Sequence, residues 1–194
     1  MAIPVYAFTG FLDAGKTKFI QETLEDERFN AGERTLLLIC EEGEEEYNPK
    51  ALDNVETQIT GSVRELCRAA ADVCRQLGYE PVVLTDSLTC QAREAGSFLA
   101  SIARYHQDRG RSLAFLAVGK LTGAGKGGRN QEIALAAAEG IAGLRDTAVF
   151  SVGSDGTDGP TDAAGGFVTG ETRGQLEEKG VSIFQVLQDN DAYN

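Results

Sequence analysis

Basic residues are scarce in this chain: 18 lysines and arginines stand against 30 aspartates and glutamates, a net charge of −12 over 194 residues. Such a surface repels nucleic acid and anionic membrane, so neither is an expected partner. Histidine occurs once, as His106, near the end of an expected helix where a positive ring complements the helix dipole, so no catalytic role is assigned to it. The four cysteines, Cys40, Cys67, Cys74 and Cys90, form no CxxC pair and stand in apolar surroundings. Reduced, mostly buried thiols are the simplest account, and they point to the cytoplasm. No apolar run approaches bilayer-spanning length, and MAIPVYAFTG has no charged leader, which adds to the expectation of a cytoplasmic protein. A hydrophobic fraction of 42% indicates a globular chain, long enough for one well-packed domain or two small ones. A homo-oligomer stays open.

What the chain does have is glycine, concentrated in two loops between residues 119 and 166. Glycine leaves no side chain between backbone amides and an incoming oxyanion. The first loop reads GKGGRN and closes on Arg129 and Asn130; the second, SDGTDGPTDAAGG, carries Asp155, Asp158 and Asp162. Arginine grips phosphate or carboxylate with two parallel hydrogen bonds, while carboxylates hold a divalent cation or accept a hydroxyl proton. The set suits an anionic, hydroxyl-bearing substrate. Asp-Gly pairs are also ordinary turn punctuation, and aspartate caps helices without doing chemistry. Three aspartates opposite a turn that opens a helix favour the functional reading.

GKGGRNQEIALAAAEGIAGL, AVFSVGSDGTDGPTDAAGGFVTGET and the terminal VLQDNDAYN closely resemble the carboxyl-terminal domain of the type II glycerate kinases. The resemblance extends back through LGYEPVVLTDSLTCQAREAGSFLASIARYH and covers 54–194. It implies ATP-dependent phosphorylation of glycerate, with Mg2+ as cofactor. It further implies that Arg129 holds phosphate or substrate carboxylate, that Gly127, Gly128, Asn130 and Thr157 bind substrate, and that Asp155, Asp158 and Asp162 orient the hydroxyl and the metal. The family has a Gly-Gly-Glu-Thr turn and a large amino-terminal domain; here LAFLAV runs on only through VGKLT, so the expected turnover is well below that of an intact member.

The first stretch, 1–53, is of another kind. GFLDAGKT fits G-x-x-x-x-G-K-[ST]: the loop between Gly10 and Gly15 would cradle phosphates, Lys16 would reach the terminal ones, and Thr17 would ligate magnesium. IPVYAFTGFLDAGKTKFIQETL with LLLICEEGEEEY resembles the opening of metal-chaperone GTPases of the cobalamin-synthesis protein W family. No convincing DxxG follows and no NKxD appears later, so a complete GTPase is not expected. The acidic run after the second strand reads as a solvated loop. The alternative function is therefore a P-loop module that binds GTP or ATP with little or no kinase activity; an inactive folded remnant is a third.

Strands and helices alternate throughout, which predicts an α/β fold, three-layer αβα with a mostly parallel sheet. Strands are expected at 3–8, 34–40, 81–85, 113–118 and 147–152, with a short edge strand at 166–169. A helix is expected from 61, capped by Ser62 and Glu65 and facing inward through Leu66, Ala70, Val73 and Leu77. Another over 89–108 should bury Ala95, Phe98, Leu99, Ile102 and Tyr105. Further helices are expected over 131–144 and 171–179.

Overall fold

The computed structural model describes residues 3–9, 15–26, 28–29, 32–39, 53–59, 63–123 and 127–193. The chain forms two compact units, Met1–Ala69 and Ala70–Asn194. The first holds helix α1 (Lys16–Glu25), strand β1 (Thr35–Ile39) and strand β2 (Val55–Ile59). Ile20 and Leu24, one turn apart, are the buried residues of α1. β1 and β2 pair in parallel, from Thr35 opposite Val55 to Ile39 opposite Ile59. The strand expected at 3–8 does not form: Ile3 and Val5 are 86% and 88% exposed, and no neighbour among the described residues supplies a ladder. Conversely β2 was not anticipated, because five residues of VETQI beside a change of resemblance carry little periodic signal. Cys40 and the acidic run lie outside the described residues.

Helix α2 (Val63–Gln76) spans the division between the units. Its apolar stripe was misplaced: Leu66, Val73 and Leu77 are exposed, whereas Cys67 and Ala71, four residues apart, are buried. The second unit continues with β3 (Glu80–Leu88), α3 (Ala92–His106) and β4 (Leu113–Gly119), a parallel pair joined by a helical crossover. Next come α4 (Arg129–Ile141), the antiparallel pair β5 (Ala148–Val152) and β6 (Gly165–Thr169), and the short helices α5 (Thr172–Glu178) and α6 (Ile183–Asp189). This is an α/β fold, and its described strands pair two by two. No helix among the described residues is long and apolar enough to cross a membrane.

The core of the second unit is built around α4 from small residues. Ala134, Ala137, Ala138 and Ile141 pack with Ala100 of α3, Val168 of β6 and Ile183 of α6. The inner face of α3 is accordingly Ala92, Ala95, Gly96 and Ala100, while Phe98 and Tyr105 point outward. A methyl group at Gly96 would overlap the Ile133 carbonyl and stand 2.9 Å from Ala136 Cβ, so the two helix backbones are nearly in contact. Large side chains are displaced from such a seam, and for that reason the expected inward aromatics are at the surface. His106 ends α3 and packs on Phe115, ring centroids 5.0 Å apart, with its Nδ1 buried and unpartnered among the described residues. α6 was not anticipated; Ser182 caps it, accepting from Gln185 N at 3.3 Å.

Candidate functional site

Both glycine loops lie at ends of elements that pack on one another. α4 packs against the β5–β6 pair closely enough that a methyl group at Gly166 would stand 2.8 Å from Ala134 Cβ. The first loop ends at Gly128, the N-cap of α4, and the second joins β5 to β6, closed at its base by Gly153 N donating to Ala164 O at 2.8 Å. Gly125 and Lys126 of the first loop lie outside the described residues.

Asp158 is the structural link between the loops. It is 2% exposed and accepts four hydrogen bonds: Asn130 N and Nδ2 donate to Oδ1, both at 3.0 Å, and Gln131 N and Nε2 donate to Oδ2 at 2.8 and 3.1 Å. The carboxylate thus satisfies two otherwise unpaired amides of the first turn of α4 and complements the positive end of its dipole. Gly128 has no side chain with which to cap its own helix, and a methyl group there would overlap the Asp158 carboxylate. Thr161 completes the lock: its hydroxyl donates to Asp158 O at 2.7 Å and accepts from Gln131 Nε2 at 3.1 Å. The Asn130 side-chain oxygen accepts from Ser151 Oγ at 2.6 Å, so this side chain is held at both ends. The helix-terminal amides expected to await an oxyanion are, at Asn130 and Gln131, already occupied by an internal one.

Beside this lock is a cavity of about 200 Å³ whose described lining is Gly123, Gly127, Gly128, Arg129, Glu132, Gly159 and Pro160. It is smaller than pockets for drug-sized ligands. Arg129 is exposed, with Nη1 donating to Leu121 O at 2.7 Å. None of the three aspartates is among the lining residues; the second loop contributes Gly159 and Pro160 instead.

Asp155 and Asp162 stand exposed on the second loop. Thr157 N donates to Asp155 Oδ1 at 3.1 Å, and this donation, with the Thr157 side chain and the charge of Arg129, holds the Asp155 carboxyl below its ordinary value. Asp162 Oδ1 accepts from the hydroxyl of Tyr193 at 2.6 Å, and the same bond pushes the Tyr193 phenol above its ordinary value. The chain end lies against the first loop as well, since a methyl group at Gly127 would come within 3.1 Å of Ala192 N. Arg93 of α3 donates through Nε to Glu132 Oε1 at 3.0 Å and through Nη2 to Asn190 Oδ1 at 2.6 Å. Sequence reasoning passed over Glu132, Arg93 and Tyr193, because nothing local marks a residue whose partner is 31, 39 or 97 positions away. Lys120, which follows β4, has its Nζ buried with no partner among the described residues. In the first unit, Gly15 is left-handed at φ 79 and caps α1, which starts at Lys16 and Thr17; Gly10 lies outside the described residues.

Residues 116–194 match the MOFRL family model. D-glycerate 2-kinase of Thermotoga maritima is 44% identical over 154 residues, 75% of this chain and 37% of the relative. Glycerate 2-kinase of Pyrococcus horikoshii is 38% identical over 158 residues, 77% of this chain and 36% of the relative. The crystal structure of glycerate kinase from Thermotoga maritima superposes with a TM-score of 0.66 at 44% identity, over 75% of this chain and 37% of that one. The chain therefore spans little more than a third of the length of these relatives. The glycerate kinase resemblance is thus supported by sequence and structure together, and residues 116–194 carry the pattern of the MOFRL family.

Proposed function

We propose that this chain is a glycerate kinase-like phosphotransferase that moves a phosphoryl group from ATP to glycerate, at a rate well below that of its longer relatives. One observation carries the reading: Arg129 lines a cavity of about 200 Å³ at the amino end of α4, in the region that matches the MOFRL model. Phosphoryl transfer asks a protein mainly for positioning and charge neutralisation. Arg129 would hold the carboxylate of the acid or a phosphate oxygen. With Asn130 N and Gln131 N taken by Asp158, Gly127 and Gly128 supply the remaining amides at the turn. Asp158 holds that turn in place; Asp162, bonded to Tyr193 and outside the described lining of the cavity, would take the hydroxyl proton only once brought to the substrate.

Magnesium, when bound, would neutralise charge on the transferring phosphate. Asp155 has the chemistry to hold it, being exposed and ionised well below neutral pH. Among the described residues no three His, Cys, Asp or Glu side chains converge. That suits an ion held by one or two carboxylates plus nucleotide phosphates better than an all-protein cage.

A coupled assay with D-glycerate and ATP tests the proposal. Slow turnover that vanishes in Arg129→Ala is expected; no turnover above a blank would refute the kinase reading, and a rate equal to that of a longer relative would refute the slow turnover. A second reading, a P-loop module holding ATP or GTP, is favoured by the left-handed Gly15 immediately before Lys16 at the start of α1.

A further inference from the structure

Glu132 is a wall of the cavity for which nothing above has supplied a task. It is 7% exposed, it stands in the first turn of α4, and its side chain points to the space shared with Arg129. Oε1 accepts from Arg93 Nε at 3.0 Å. Arg93 is in turn fixed by Asn190 Oδ1, so the carboxylate is oriented by a guanidinium that is itself clamped. Oε2 has no donor among the described residues. A methyl group on Gly123 would stand 2.8 Å from Oε2 and 3.0 Å from Arg129 Cγ, so the absent side chain at 123 is what leaves this oxygen a gap to face. Oε2 is not among the sealed polar atoms of the described residues: it opens to the cavity, and that is where a donor can arrive.

We infer that Glu132 Oε2 accepts a hydrogen bond from a hydroxyl of the small hydroxy acid held in this cavity, with Arg93 as its positioning residue. The inference deepens the glycerate reading and rests on it. Arg129 recognises the acid end; Glu132, acceptor-only, recognises the alcohol. Together they select a hydroxy acid over the plain acid of the same carbon number, since a site built to accept a hydroxyl proton is left unpaired by the analogue lacking it.

Titration calorimetry on the whole chain, with D-glycerate and with propionate as probes, reads that selection directly. The wild type is expected to bind glycerate roughly ten- to a hundredfold more tightly than propionate, the size of one charge-assisted hydrogen bond. Glu132→Gln keeps an acceptor for Arg93 but presents an amide to the gap, and should bind both acids alike. Arg93→Lys cannot donate to Glu132 and Asn190 in the same fork, and should lose the selection while its melting temperature stays within a few degrees of wild type. Gly123→Ala, at a residue outside the left-handed region, fills the gap and should exclude glycerate in a folded chain. Wild-type selectivity retained in Glu132→Gln overturns the inference and leaves the glycerate reading intact. Equal binding of both acids by the wild type does the same. Binding of neither by the wild type overturns the glycerate reading and the inference with it.

Discussion

At the scale of single residues the candidate site is organised by one carboxylate that faces away from solvent. Asp158 is spent on the first turn of α4, and Gly128 is the vacancy that admits it. Asp158→Ala would leave two main-chain and two side-chain amides short of an acceptor, and should cost about 3 kcal/mol in urea unfolding. Gly128→Ala should cost about 2 kcal/mol by overlap, because the carboxylate that would have to move is held by four donors. A Gly128→Ala chain as stable as wild type would show that the lock is looser than its hydrogen bonds imply. Tyr193 offers a pH-dependent counterpart. Its phenol is raised above 10.0 by Asp162, so the bond's contribution is complete below that value and is lost as pH rises through the folded pKa. The tyrosinate absorbance that distinguishes wild type from Tyr193→Phe should therefore appear at higher pH in wild type than in Asp162→Asn. Coincident curves would mean that the contact does not persist in solution.

At the scale of elements the governing feature is the seam between α3 and α4. Gly96 and Ala100 on one helix meet Ile133, Ala136 and Gly140 on the other, and the approach is set by backbone rather than by side chains. Gly96→Val should force the helices apart and cost about 3 kcal/mol or more, whereas Phe98→Ala, at an exposed position, should change stability by less than about 1 kcal/mol. Equal effects at the two positions would put the core elsewhere. This seam also marks what the residues alone could tell. The existence of α2 to α5 and the parallel pairing of most strands were legible, because periodicity and glycine punctuation are local signals. Which face of α2 or α3 turns inward was not, since hydrophobicity counts Phe98 and Leu66 above Ala100 and Cys67, while close packing prefers the small ones. In the site, the two loops and Arg129 were legible from composition. The burial of Asp158 and the Arg93 bridge from Glu132 to Asn190 were not, because they depend on partners brought together only by the fold.

At the scale of the whole molecule the chain joins a region similar to glycerate kinases to a stretch with a phosphate-loop pattern, within two separately compact units. The two proposed binding functions fall one to each unit: Lys16 and Thr17 in the first, Arg129 and Glu132 in the second. Lys16→Ala should then abolish or strongly weaken binding of a fluorescent ATP analogue, since it removes the cation at the amino end of α1 that would face the phosphates. The same variant should leave glycerate affinity by calorimetry within about twofold of wild type, because independent sites contribute additively. If Lys16→Ala binds nucleotide normally, the phosphate-loop reading of the first unit fails, and the nucleotide must be sought among the amides and the guanidinium at the start of α4. If it instead lowers glycerate affinity along with nucleotide affinity, the additivity expected of independent sites fails, and the assignment of one binding function to each unit fails with it.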